Sequence, residues 1–315
     1  MAKMSLRFPI RLSALTPGVL ATVLASATTG FAQDPPPTPL VSPARAQIEQ
    51  IIQQSHADVS VAFRSLDGKQ QLFIKANEPF PAAASIIQIP VMMELYAQAQ
   101  SGELRLTDAI VVHNSFRSLV DGTPFQLDSK TDPDRELYGQ MGKPVSLRDL
   151  CEHMVAHNSS LAADLLIEKL GVDRIRERIA ALHIDRMDLA RAIEPAEANQ
   201  KGPNNATTAR SVLELLWTLA KRQESGDDSS KEMIGMLARA ALQQPPTAGM
   251  PADPRDAQSL QVAGTGQQSM IVYGPHPYVV VILASGITNP VASAALMGQI
   301  ENALTAGLEA SLGGG

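Results

Sequence analysis

The β-prone segments of this 315-residue chain lie only toward its two ends, and that split constrains the fold more than any other feature. Near the start, residues 59–65 carry Val59, Val61 and Phe63 in alternation, and residues 70–75 follow across Asp67-Gly68, a pair suited to a tight hairpin turn. Near the end, residues 260–263, 270–273 and 278–285 are β-prone, and the last two flank the turn Gly274-Pro275-His276-Pro277. Between these groups the apolar residues recur at helical spacing, which predicts helices over 85–100, 146–156, 161–170 and 207–222. The stretch 194–206 is rich in Asn, Pro, Gly and Ala and reads as a loop. One helix carrying Ile48, Ile51 and Ile52 precedes the first strands. Another begins at Pro290, with Leu296, Ile300, Leu304 and Leu308 four apart. Strands separated by that much helix must meet in one sheet. The terminal helices then cover the sheet, and the middle of the chain forms a helical lobe.

A hydrophobic fraction of 44% with 18% charged residues suits a globule that builds its own core. A net charge of -6 and only 4% aromatic residues argue against a nucleic-acid partner, which needs a basic face or stacking platforms. Lys3, Arg7 and Arg11 open the chain, and an apolar stretch over 12–31 follows, broken by Pro17-Gly18. Gly30 and Ala32 then supply small residues at the spacing of a cleavage site. The pattern reads as a secretory signal over 1–32, cut after Ala32, with a transmembrane anchor as the alternative. No later segment has the length and apolarity of a span, so an exported monomer in the periplasm or outside the cell is expected. Residues 33–44 hold five prolines and read as an extended tether before a domain over 45–311.

Cys151 is the single cysteine, so the chain has no internal disulfide and must be held by its core. Cys151 itself reads as a small buried apolar residue. His153 and His157 stand four apart on a predicted helix, a spacing that can place two imidazoles on one metal. No third ligand is evident, and neither a metal nor a cofactor is expected.

Five segments carry chemistry-like patterns in order. They are Phe80-Pro-Ala-Ala-Ala-Ser85-Ile-Ile-Gln88, then Phe116-Arg-Ser-Leu-Val-Asp-Gly-Thr-Pro-Phe125, then His157-Asn158-Ser159-Ser160 before Leu165-Leu166-Ile167. Glu194-Pro195 with Asn199 and Gly202-Pro-Asn-Asn follow, and Val262-Ala-Gly264-Thr265-Gly266 before Ile271-Val-Tyr comes last. Together with the element order, these segments resemble the class A β-lactamase and penicillin-recognising serine hydrolase family over roughly residues 45–310. The resemblance implies an α/β (α+β) fold of the β-lactamase/DD-peptidase type. Its parts are a five-stranded antiparallel sheet, flanking terminal helices and a helical lobe. It also implies ancestry in β-lactam hydrolysis and a small-molecule ligand, either a β-lactam or a peptidoglycan-like amide.

Set against the family's motifs, Ser85 takes the place of the nucleophile and Gln88 that of the lysine one helical turn on. An amide can orient by hydrogen bonds but is no base at neutral pH. Ser-x-x-Gln is also a capping box, so a plain helix cap competes with a live nucleophile. Asn158 and Ser160 take the places of the proton-shuttling serine and the substrate-holding asparagine. A polar helix start is the alternative there. Gly264, Thr265 and Gly266 correspond to the Lys-Thr-Gly triplet without its charge. Glu194 resembles the loop glutamate that activates the deacylating water, with Asn199 beside it and Glu197 in reserve. Loss of both motif lysines predicts a catalytically impaired or inactive homologue. Two alternatives are an active serine β-lactamase and an esterase for uncharged substrates, each using Ser85 as nucleophile, the former with Glu194 as base.

Overall fold

The computed structural model describes residues 42–82, 84–195, 198, 202–224, 226–242, 260–264 and 267–312. The expected secretory signal and most of the expected linker lie outside the described residues. Helix α1 (Ser42–Ser55) leads into strands β1 (Asp58–Ser65) and β2 (Gln71–Ile74), then the short β3 (Phe80–Pro81) and helix α2 (Ala84–Ser101). The next part holds β4 (Ala109–Val111), β5 (Phe116–Arg117), β6 (Pro124–Phe125), α3 (Arg135–Tyr138) and β7 (Pro144–Ser146). Helices α4 (Leu147–Ala156), α5 (Ser160–Leu170) and α6 (Val172–Ala181) follow, and β8 (Ala206–Thr207) ends a long loop. Helices α7 (Ala209–Glu224) and α8 (Asp228–Leu242), strands β9 (Leu260–Gly264), β10 (Gln267–Val272) and β11 (Tyr278–Ser285), and helix α9 (Pro290–Leu312) complete the order.

The expected sheet forms, five-stranded and antiparallel, in the order β2-β1-β11-β10-β9. Its centre is β11, whose run Tyr-Val-Val-Val-Ile-Leu-Ala is buried on both faces and so lacks the alternation of a half-exposed strand. Val61 lies opposite Ile282 and Phe63 opposite Val280, which fixes the register of the two ends of the chain against each other. Val280 and Ile282 join Val59, Val61, Phe63 and residues of α1 and α9 in one apolar cluster. Val279, Val281 and Leu283 face the other way into the larger cluster built with the middle helices. A slip of one residue in β11 would exchange these two sets, so the packing of both layers enforces one register.

Pro43 falls in the first turn of α1, where a missing N–H removes no helical bond, so the helix begins within the proline-rich stretch. A Cβ on Gly307 of α9 would stand 2.6 Å from the Cβ of Ala44, so glycine lets the two terminal helices approach. Helix α2 is buried nearly all round, from Ile86 and Ile87 through Val91 and Met92 to Leu95, so it is the central helix of the lobe. Helices α6 and α8 extend the lobe beyond the predicted set. The helix predicted over 207–222 starts at Ala209 because Ala206 and Thr207 pair with Pro81 and Phe80. Cys151 is buried, as expected for a small apolar residue.

Candidate active site

Ser85 is the second residue of α2, not its cap, because the helix begins at Ala84. The capping-box alternative fails on this point and on a second one. The Gln88 side chain does not turn back to the start of its own helix; its Nε2 donates to Asn158 Oδ1 at 2.9 Å. Ser85 is half-buried at the positive end of a helix rigidly packed on all sides, a place that favours negative charge on a bound group. Gln88 is buried at 4% exposure, so its bond to Asn158 is an internal contact between the two motif segments.

Asn158 sits between α4 and α5 with φ of 53°, a left-handed conformation that asparagine tolerates better than most residues. The cap of α5 is the next residue, Ser159, fully buried, whose hydroxyl accepts from the Ala162 N–H at 3.3 Å. Ser160 is then the first helical residue of α5 and half-buried. The bend at Asn158 turns its amide toward α2 and gives the cap to Ser159. His153 is held by Asp134, with Nδ1 2.7 Å from Oδ2, and its ring lies 5.5 Å from that of His157.

The long loop before β8 is tied at several points. Asn205 Oδ1 accepts from the N–H groups of Ala190 and Arg191 at 2.8 and 2.9 Å, and its Nδ2 donates to the Arg191 carbonyl. The Ala82 N–H donates to the Asn205 carbonyl at 3.0 Å, which joins the loop to the segment just before Ser85. Glu194 is held at both oxygens. Ser118 Oγ donates to Oε1 at 2.9 Å, and Arg191 contacts Oε2 at 3.2 Å, with both side chains of the ion pair 3% exposed. Gly202 allows Val120 to close over the loop's exit: its φ is 77°, and a Cβ there would lie 2.7 Å from Val120 Cγ1.

Beneath the loop lies Asp164 of α5, whose Oδ1 accepts from the Ile193 N–H at 2.7 Å. Burial pushes its carboxyl well above the ordinary carboxylate range, with Glu194, Asp132 and Glu168 adding to the rise. Burial raises Asp132 as well. Gly264 ends the edge strand β9, pairs with Gln267, and belongs to a strand that touches α2. Gln267 Nε2 donates to the Pro81 carbonyl at 2.9 Å, which seats β10 against the segment leading to Ser85. Thr265, Gly266, Asn199 and Glu197 lie outside the described residues.

The structure thus brings Gln88 and Asn158 into contact, and it ties Glu194 to Ser118 and Arg191. Sequence reasoning missed Ser118, Arg191, Asn205 and Asp164. Arg191, three residues before a loop glutamate, carried a readable signal. The other three depend on contacts that no local pattern reveals. A two-layered arrangement of sheet and terminal helices, with a serine in the first turn of a central buried helix, defines a β-lactamase-type serine hydrolase fold.

The chain belongs to the beta-lactamase enzyme family, whose model matches residues 43–308. Solved structures share the fold. A beta-lactamase from Sphaerobacter thermophilus superposes with a TM-score of 0.67 at 21% identity, covering 86% of this chain and 97% of that one. PBP-A, in an acyl-enzyme complex with penicillin G, gives 0.67 at 18% identity, covering 88% and 100%. An ancestral class A beta-lactamase gives 0.67 at 18% identity, covering 84% and 99%. No curated protein sequence matches the chain significantly. Among the described residues, no helix is long and apolar enough to cross a membrane.

Proposed function

We propose that this protein is an exported β-lactamase-family homologue that recognises a β-lactam- or peptidoglycan-like amide but turns it over poorly or not at all. The single observation that supports this most directly is the amide-to-amide bond between Gln88 and Asn158. These two residues take the motif positions from which the family moves protons at the serine. Neither amide can accept a proton from Ser85 at neutral pH, and neither can deliver one to a leaving nitrogen. Gly264 adds no charge to draw in a substrate carboxylate. Ser85 keeps the helix N-terminus as a source of stabilisation for an oxyanion. General acid and base groups typically contribute ~10²–10⁴-fold each, so losing both leaves acylation as the failing step. Residues 1–32 serve as the export signal and 33–41 as a tether in this reading, since α1 already begins at Ser42, and the exported domain is monomeric.

A second reading rests on Glu194, which is buried and held in one orientation by Ser118 and Arg191. In this reading Ser85 is acylated and Glu194 serves as the base that drives release. Covalent labelling by a fluorescent penicillin, with Ser85→Ala as control, tests the proposal. Labelling that is absent, or very slow and confined to Ser85, is the expected result. Rapid serine-dependent labelling followed by rapid release would overturn it in favour of the second reading.

A further inference from the structure

A cavity of about 450 Å³ opens between the 115–124 loop, the C-terminal end of α5 and the start of α6. Its lining includes Phe116, Leu119, Pro124 and Ile167 as apolar walls, with Asp164 and Glu168 as its acids. Ser85, Gln88, Asn158 and Glu194 do not line it, so it is distinct from the serine and its partners and shares with that site only Asp164, beneath the loop.

Asp164 is the unusual member. It is 2% exposed, and Oδ1 is committed to the Ile193 N–H. Oδ2 is buried and has no hydrogen-bond partner among the described residues. A buried carboxyl oxygen left without a partner costs free energy comparable to a lost hydrogen bond, and native proteins rarely leave one so. The remaining lining and its surroundings decide what kind of group would satisfy it. Glu168 lines the same cavity and is paired with His113 at 3.0 Å. Asp132 and Glu194 add negative potential at Asp164 from outside the lining, and Arg117, which is in the lining, is exposed with its Nη1 donating to the Gly122 carbonyl. An anion entering the cavity would meet two acids in its lining, Asp164 and Glu168, with Asp132 and Glu194 behind Asp164. A cation would lie beside Glu168 and would favour the ionised form of Asp164, which burial alone disfavours. Leu119, 38% exposed, offers an apolar lip to whatever body carries that cation.

We propose that this cavity is a binding site for a small organic cation, a primary ammonium or amidinium on an apolar body, with Asp164 Oδ2 accepting its N–H. The ligand's body packs on Phe116, Leu119 and Ile167, and its head replaces the hydrogen bond that Oδ2 lacks.

Calorimetric titration of the exported domain with benzylammonium and benzamidinium tests this, with benzyl alcohol and benzoate as the neutral and anionic comparisons. Saturable binding of the cations with Kd at or below about 1 mM is expected, and neither comparison molecule should bind at that level. Asp164→Asn keeps an acceptor for the Ile193 N–H but cannot ionise on meeting the cation, so cation binding should weaken at least roughly 30-fold. Leu119→Trp fills the mouth at an exposed position and should abolish binding, which keeps the test decisive if the Asp164 variant does not fold. Ser85→Ala should bind the cations as the parent does. Equal binding of benzyl alcohol, binding of benzoate, unchanged cation binding in Asp164→Asn or Leu119→Trp, loss of binding in Ser85→Ala, or no saturable cation binding would each overturn the proposal.

Discussion

Gln88 and Asn158 are seventy residues apart, and each satisfies one side-chain amide group on the other. The bond turns two positions that could move protons into a fixed polar strut between α2 and the α4–α5 bend. Placing proton-handling groups at both positions, by Gln88→Lys with Asn158→Ser, should speed acylation of Ser85 by fluorescent penicillin by about 10²-fold or more. A time course of gel labelling reads this, and an unchanged rate would place the block elsewhere. Arg191 poses a different residue-level question, since it is as deeply buried as the Glu194 carboxylate it neutralises. Arg191→Met strands that carboxylate and should cost about 3–5 kcal/mol in urea denaturation. Adding Glu194→Gln removes the stranded charge and should recover most of the loss, a coupling that a double-mutant cycle measures directly.

At the scale of elements, two contacts set the behaviour of the loop and of the sheet's outer layer. Gly202 ends the loop in a left-handed conformation against Val120. Gly202→Ala should destabilise the protein by about 1–3 kcal/mol, through both the backbone conformation and the clash, and thermal denaturation would show it. Between β10 and α9, Glu301 is 4% exposed, and Gln268 Nε2 lies 3.4 Å from its Oε2. Burial pushes the Glu301 carboxyl up to about 7 from its ordinary 4.5, and the Gln268 bond works slightly against that. The folded state therefore holds this proton more tightly than the unfolded chain. Stability contributed by the neutral form is full below about pH 4.5, falls as pH rises toward 7, and is gone above it. The change amounts to about 3 kcal/mol across that window. Glu301→Gln should flatten that part of the pH–stability profile and raise stability at pH 8, which urea melts across pH would check.

At the scale of the whole molecule, the sheet and its covering helices were legible because their signals are local and long. The 278–285 run is too apolar for a surface strand, and the four-residue spacing of Leu296, Ile300, Leu304 and Leu308 marks one face of α9. Two-residue strands such as β3 and β8 were not legible, since a pair of that length exists only where tertiary contacts hold it. Helices α6 and α8 did carry a pattern, Ile175 with Ile179 and Met233 with Met236 and Leu237, diluted by charged neighbours. The site was legible to the same degree. Ser85, Gln88 and Glu194 stand in recognisable segments. Asp164 looks like one polar residue in an apolar helix until Ile193, far along the chain, donates to it. Ser118 likewise gains meaning only from Glu194.

We propose that an acyl-transfer fold has here lost the groups that move its protons. Hydrolysis of a chromogenic cephalosporin by the protein, measured beside Ser85→Ala, is the sharpest test. Both proteins should show the same slow, serine-independent rate; a fast rate that vanishes with the Ser85 hydroxyl would overturn this reading.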